Sequence, residues 1–158
     1  ANAFSYRSML DAGCDVLLGS DAPIEQLMLL AAMHAAVHRC GGAHGLAGER
    51  DPWLAEQAIS PMEALIASTR TPARVMGVGH RRGRIAPGMD ADLTILDGDP
   101  RTTPIGEIQV VATMVAGGWS HGDDIVDPTW DAYRGVALDD GVGAVDAGSG
   151  RRKSRPDL

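Results

Sequence analysis

The sequence predicts an α/β fold, because short apolar runs of strand type occur beside a long segment of helix type. Val16 to Leu18 has the continuous apolar character of a strand buried on both faces. Residues 24–40 are rich in Ala, Leu and Met and contain no Gly or Pro, which predicts a long helix. Residues 83–100 contain short β-rich runs broken by Pro-Gly and Asp-Gly, a pattern typical of strands joined by turns.

The N-terminal elements follow from spacing and glycine positions. Residues 4–12 carry apolar side chains at helical intervals, and Gly13 suits the position just after a helix C-terminus. A strand is expected at Asp15–Leu18. The helix over 24–40 is expected to stop at Gly41-Gly42, and residues 41–59 are expected to form a loop.

Two short helices are predicted next. Ser60 can cap a helix, Pro61 suits its first position, and Glu63 completes a capping box, so a helix is expected from Pro61 to about Ser68. Thr71-Pro72 repeats the start pattern and predicts a second helix that ends near Gly77.

The character then changes to β. Ala86-Pro87-Gly88 suits a type II turn, and Leu93–Leu96 is predicted as a strand. Residues 108–122 are expected to hold two strands, the second ending at Gly117-Gly118, a hairpin-type turn that leads into Trp119. From Gly135 onward the composition turns to Gly, Asp, Ala and Ser, which predicts a disordered tail.

The bulk composition is that of an ordinary globular protein. The 158 residues are 44% hydrophobic and 22% charged, and the net charge of −7 gives no reason to expect nucleic acid or an anionic membrane as a partner. No apolar run approaches the length of a membrane span. Cys14 and Cys40 are too sparse for a disulfide framework and are interpreted as reduced thiols in a cytoplasmic protein.

Asp21, in the stretch Gly19-Ser20-Asp21, has two interpretations. These residue types dominate turns, so Asp21 can serve an Asx turn or cap the helix that follows. If the preceding run is instead a parallel barrel strand, Asp21 stands at its carboxyl end, where catalytic groups collect. A carboxylate there can bind a divalent metal and accept a proton from water.

Other polar residues give weaker indications. His34 and His38 share one helix face by their spacing of four, but two histidines are only half of a zinc ligand set and no Glu lies between them. Arg39 can contact the helix C-terminal carbonyls or a substrate. The remaining residues are interpreted as structural or solvated: Cys14, His44, His80, His121 and the basic run 151–155.

Three stretches together resemble the metal-dependent amidohydrolases, in the branch that includes N-substituted formamide deformylases. They are GCDVLLGSDAPI at 13–24, SPMEALIASTRTPARVMGV at 60–78 and GRIAPGMDADLTILDGDP at 83–100. They stand in the order found in that family, and the resemblance covers residues 1–120. The third motif is the most specific of the three.

The resemblance implies a fold of the α/β class. The chain would be the C-terminal portion of a (β/α)8 metal-dependent hydrolase barrel, together with strands of the small composite β-sandwich domain. Residues 1–80 would hold the last barrel strand and terminal helices, with the eighth strand at 15–20. Residues 81–122 would be sandwich strands, and residues 123–158 an irregular tail.

The resemblance also implies chemistry. In the family, the residue at the position of Asp21 helps to hold the active-site metal and acts as general base toward the attacking water. The complete enzyme would use a divalent metal, zinc, to hydrolyse a carbon–nitrogen bond of a small amide-type molecule. The family's His-x-His pair is absent from this sequence. The chain alone is therefore expected to hold no metal tightly and to be inactive.

Two hypotheses about function remain open at this point. One is a C-terminal part of an amidohydrolase, with a homo-oligomer or a separately encoded N-terminal half as the expected partner. The other is a degenerate paralogue that serves as a non-catalytic binding or assembly module. The unbroken Gly-Ser-Asp and Asp-Ala-Asp motifs favour the first hypothesis. Under both, no nucleic acid or membrane partner is expected.

Overall fold

The computed structural model of the chain describes residues 4–24, 27–40 and 51–122. Within them, short helices precede a three-stranded antiparallel sheet, which fits the predicted α/β class. In chain order the elements are α1 (Tyr6–Asp11), α2 (Leu29–His38), a 3₁₀ helix (Ala55–Gln57), α3 (Pro61–Ser68), α4 (Arg70–Val75), β1 (Leu93–Leu96), a second 3₁₀ helix (Ile105–Glu107), β2 (Val110–Val115) and β3 (Gly118–His121).

Helix α1 ends as predicted at Gly13. This glycine has a φ of 77°, and its N–H donates to the Leu10 carbonyl at 2.9 Å. The next N–H, from Cys14, donates to the Met9 carbonyl at 2.9 Å. These two bonds form a Schellman motif, which satisfies carbonyls that the end of the helix leaves open.

The predicted strand at Asp15–Leu18 is wrong, since these residues form no strand in the structure. A strand needs a neighbour for its backbone hydrogen bonds, and none of the described strands pairs with this segment. The Leu18 N–H instead donates to the Ala67 carbonyl at the end of α3.

Helix α2 is shorter than the predicted 24–40. Ile24 lies in a turn, where its N–H donates to the Asp21 carbonyl. Because Ile24 is 79% exposed, no packing favours a helix there. At the other end, Arg39 adopts left-handed backbone with φ of 57°, which stops the helix before Cys40.

The predicted capping box and helix α3 are confirmed. The Ser60 hydroxyl accepts from the Glu63 N–H at 3.2 Å, and the Glu63 carboxylate accepts from the Ser60 N–H at 2.8 Å. Glu63 also accepts from the Arg7 guanidinium at 2.7 Å. The Ser60 N–H and then Arg7 hold the pKa of Glu63 below its ordinary value.

Helix α4 begins earlier than its sequence pattern predicts. It starts at Arg70, so Thr71 is its second residue, buried rather than capping. Its end is as predicted, because Gly77 has φ of 77° and the N–H groups of Gly77 and Val78 form a second Schellman motif.

The turns of the sheet region are set by glycine. The Met89 N–H donates to the Ala86 carbonyl and Gly88 has φ of 79°, which confirms the predicted type II turn. The hairpin between β2 and β3 is confirmed, but its central residues are Ala116 and Gly117, one position earlier than expected. Both have positive φ, which is the I′ geometry that matches the twist of the strands.

One core joins the helices to the segment before β2. Its five members come from α2, α3, the residue before the α3 cap and the second 3₁₀ helix, and each is at most 3% exposed. Alanines on both helices allow their backbones to approach closely. The members are Met33, Ala36, Ile59, Ala64 and Ile105.

Several sequence predictions concern thiols, loops and the chain end. Cys14 and Cys40 are both free. Residues 55–57 of the predicted loop form a 3₁₀ helix. The expected helix stop at 41–42 and the predicted disordered tail lie outside the described residues. Among the helices that the structure describes, none has the length and hydropathy required to cross a membrane.

We expect the Ser60→Ala variant to lose about 1 kcal/mol of unfolding free energy, because the substitution removes the acceptor for the Glu63 N–H. Urea denaturation followed by circular dichroism measures the change. The matched variant Ser60→Thr keeps a hydroxyl and should stay within about 0.5 kcal/mol of wild type. Equal losses in both variants would contradict a capping role.

Candidate functional site

Asp21 lies in a tight turn between the segment after α1 and helix α2. Its carbonyl accepts a hydrogen bond from the Ile24 N–H at 2.9 Å, and the intervening Ala22–Pro23 peptide is cis. Asp21 has φ of 54°, a left-handed conformation that aspartate adopts more readily than most other residues. The turn expected from Gly-Ser-Asp is therefore present in the backbone.

The side chain of Asp21 does not cap helix α2. The helix begins at Leu29, its N-cap residue is Met28, and no side chain bonds the cap. Asp21 is exposed, and among residues 4–24, 27–40 and 51–122 no group hydrogen-bonds to its carboxylate. The carboxylate is thus accessible to a ligand from solvent.

The segment that precedes Asp21 is fixed against the helices. Val16 is 6% exposed, and the Leu18 N–H donates to the Ala67 carbonyl at 3.0 Å. Asp15 forms an ion pair with Arg74 of α4. Three contacts of different kinds therefore position the backbone that leads into the Asp21 turn.

No complete metal site exists within the described part of the chain. No three His, Cys, Asp or Glu side chains there come close enough together to share a metal ion. A catalytic zinc takes about three protein ligands. The described residues hold no such set, and the metal-ligand role expected of Asp21 stays a prediction.

The histidines of α2 lie side by side, as their spacing predicts. The ring centroids of His34 and His38 are 4.5 Å apart, with 39° between the ring planes. They are remote in sequence from Asp21 and form no part of a larger ligand group among the described residues. His80 and His121 are exposed, and His44 lies outside the described residues.

Arg39 has surroundings that its sequence position did not reveal. It is 7% exposed, and its guanidinium carbon lies 5.3 Å from the centroid of the Tyr6 ring and 5.4 Å from that of Trp53. Its Nε donates to the Trp53 carbonyl at 3.2 Å, not to the carbonyls of its own helix. The two ring faces stabilise the buried cation.

A cavity of about 380 Å³ adjoins this arginine. Phe4 meets the Trp53 ring edge to face, with centroids 6.1 Å apart. No local motif could have predicted this grouping, since Trp53 lies 14 residues after Arg39 and the two other aromatic residues, Phe4 and Tyr6, lie more than 30 residues before it. The lining residues are Phe4, Tyr6, Ala35, Arg39, Cys40, Asp51 and Trp53.

Comparisons with known proteins match most of this chain to one family. The sequence profile of the Amidohydrolase family matches residues 1–121. The chain is 38% identical over 117 residues to N-substituted formamide deformylase from Arthrobacter pascens, which covers 72% of this chain and 20% of that protein. It is 36% identical over 99 residues to amidohydrolase YtcJ of Bacillus subtilis, covering 62% of this chain and 18% of the relative.

A solved structure shares the fold. The crystal structure of an amidohydrolase from Thermotoga maritima MSB8 superposes with a TM-score of 0.56 at 21% identity, over 74% of this chain and 25% of that one. The chain spans about a fifth of the length of the curated relatives it matches.

We expect Arg39→Lys to lower the unfolding free energy by about 1–2 kcal/mol, because lysine lacks the planar group that stacks between Tyr6 and Trp53. Urea denaturation measures the loss. Arg101→Lys is the matched control, since Arg101 is exposed and forms its one ion pair with a described residue to Asp99, so this substitution should change stability little. If the two variants lose the same stability, the stacked arrangement does not contribute.

Proposed function

Because the chain belongs to the amidohydrolase family, we propose that it is part of a hydrolase acting on carbon–nitrogen bonds and supplies Asp21 as metal ligand and general base. The observation that carries the proposal is the state of this carboxylate. It is exposed, it follows a segment fixed to α3 and α4, and it lies inside the region that the family profile matches.

Hydrolysis of a carbon–nitrogen bond requires a group that accepts a proton and later donates it. The Asp21 carboxylate accepts a proton from the attacking water and returns it to the leaving nitrogen. A divalent metal, zinc in this proposal, would lower the pKa of that water toward neutrality when bound. Asp21 suits both tasks, because no described residue occupies its carboxylate oxygens.

The remaining ligands must come from outside the described residues. We propose that they belong to the rest of a complete enzyme, either on the same polypeptide or on a separate one. Large apolar side chains that stay open to solvent support a covering partner. The most exposed are Ile24 (79%), Leu27 (85%), Met76 (75%) and Ile85 (89%).

The substrate class in this proposal is a small amide-type molecule. One relative is named for N-substituted formamides and is 38% identical over the aligned residues. Such a compound offers a carbonyl carbon for the attacking water and a nitrogen that Asp21 can protonate as it leaves. N-substituted formamides are therefore the first substrates to assay.

The second candidate is a non-catalytic binding or assembly module. One observation favours it, namely that the described residues contain no group of three possible metal ligands. The two candidates differ in what Asp21 does once the missing ligands are supplied. A chimera that supplies them distinguishes the two.

The test replaces the aligned segment of the Arthrobacter pascens deformylase with residues 1–121 of this chain. We expect the chimera to hydrolyse N-substituted formamides. Asp21→Asn should lower kcat by about 10³-fold, within the range typical of general acid–base catalysis. Metal analysis of the same preparations should show reduced zinc in the variant.

Asp99→Asn is the control, because it removes a carboxylate that pairs with Arg101, takes no part in positioning the Asp21 turn and should leave kcat within about threefold. An Asp21→Asn chimera as active as its parent would remove Asp21 from the proposed role. A folded, zinc-loaded parent chimera without activity would favour the non-catalytic module.

A further inference from the structure

A second concave site lies beside helix α4, and arginines line it. The hollow has a volume of about 160 Å³, well above the roughly 10–15 Å³ that a cavity needs on this measure to hold one water. Its walls are formed by four arginines and one glycine, and we call it the arginine hollow. The lining residues are Arg70, Arg74, Gly79, Arg82 and Arg84.

Two glycines allow this concentration of positive charge. A β-carbon at Gly83, where φ is 92°, would lie 2.7 Å from the Ala73 β-carbon and 3.0 Å from the Thr69 carbonyl oxygen. A β-carbon at Gly79 would lie 3.2 Å from the Arg74 Cα. At position 83 only glycine lets the loop come so close to α4, and this approach brings the arginines on either side of Gly83 beside those of the helix.

The arginines of the helix share one face. Arg70 and Arg74 are four residues apart on α4, a spacing that stacks their side chains over one another. Arg82 and Arg84 flank the glycine that touches the helix. The hollow is thus formed by two pairs of guanidinium groups from two neighbouring pieces of backbone.

The charges around the hollow do not balance. Arg74 pairs with Asp15, and Arg82 pairs with Asp90 and Asp92 at 2.9 and 3.0 Å. Arg70 and Arg84 form no ion pair with any described residue. Asp90 also pairs with Arg81, which does not line the hollow. The four lining arginines and Arg81 together carry five positive charges against three aspartates, which leaves an excess of two positive charges.

We propose that the arginine hollow binds a phosphate-type dianion. Guanidinium groups bind phosphate oxygens through paired N–H donors, and an anion of about two negative charges matches the local excess. A long polyanion is disfavoured, because the chain as a whole carries a net charge of −7. A single carboxylate would leave one positive charge unbalanced.

The test titrates the 158-residue chain with inorganic phosphate and follows the arginine side-chain NMR signals. Acetate at equal ionic strength is the anion control. We expect saturable binding of phosphate that is at least about tenfold tighter than that of acetate and that weakens as salt is added. Absence of saturable phosphate binding, or equal affinity for acetate, would overturn the proposal.

Variants locate the site. The double variant Arg70→Gln/Arg84→Gln removes the two arginines without a described acidic partner and should weaken phosphate binding at least about tenfold. Arg151→Gln/Arg152→Gln removes the same charge from the basic run near the chain end and should leave affinity within about twofold. The reverse pattern would place the binding at that run and overturn the proposal.

The double variant Arg70→Lys/Arg84→Lys keeps both positive charges. It controls for the possibility that the glutamine variant loses binding because it does not fold. We expect it to bind phosphate with an affinity between those of wild type and the glutamine variant, because lysine offers a point charge without the paired donors. Unchanged affinity in the lysine and glutamine variants would show that these side chains do not hold the anion. Because the experiment measures only phosphate binding, its result does not depend on whether the proposed hydrolase activity is correct.

Discussion

The structure depends on one small core in which α2, α3 and the 3₁₀ helix at Ile105–Glu107 meet. Ile105 is 1% exposed and packs with alanines that are 1% and 0% exposed on the two helices. Ile105 and Ala36 of α2 are about 70 residues apart in the sequence. Their packing joins the helical half of the chain to the segment that leads into β2. The segment before Asp21 and the arginine hollow are connected to this core through α3 and α4.

Asp21 and the arginine hollow both depend on that arrangement. The end of α3 offers the Ala67 carbonyl that receives the Leu18 N–H, and α4 supplies Arg74, which pairs with Asp15. The same α4 forms one wall of the hollow. Structural groups near the core are thus bonded within the chain, whereas the Asp21 carboxylate and the side chains of Arg70 and Arg84 are open to solvent.

Features that rest on neighbouring residues could be predicted from the sequence. The Ser60 capping box, the glycine ends of α1 and α4 and the Ala86–Gly88 turn all depend on interactions within a few residues. The strand Leu93–Leu96 was also predicted, from its β-rich composition, and it pairs with β2 further along the chain. The hairpin turn lies one residue earlier than the sequence predicts, because Ala116 adopts a positive φ, which alanine rarely does.

Features that depend on residues distant in sequence could not be predicted from the sequence. Asp15–Leu18 has strand composition but no strand beside it among the described residues, and α2 extends only where its side chains find packing. The stacking of Arg39 between Tyr6 and Trp53 depends on a fold that brings three separate segments together. The role predicted for Asp21 depends on the family resemblance, since its local pattern alone favours a turn.

Hydrogen exchange in Ile105→Ala tests most directly whether one core holds the helices and the sheet together. Removing the buried side chain should cost about 2–5 kcal/mol. If the core is shared, the slowest-exchanging amides of α3 and β2 should lose protection by the same factor, of about 30-fold or more. Loss of protection in β2 with α3 unchanged would show that the two halves are stable independently.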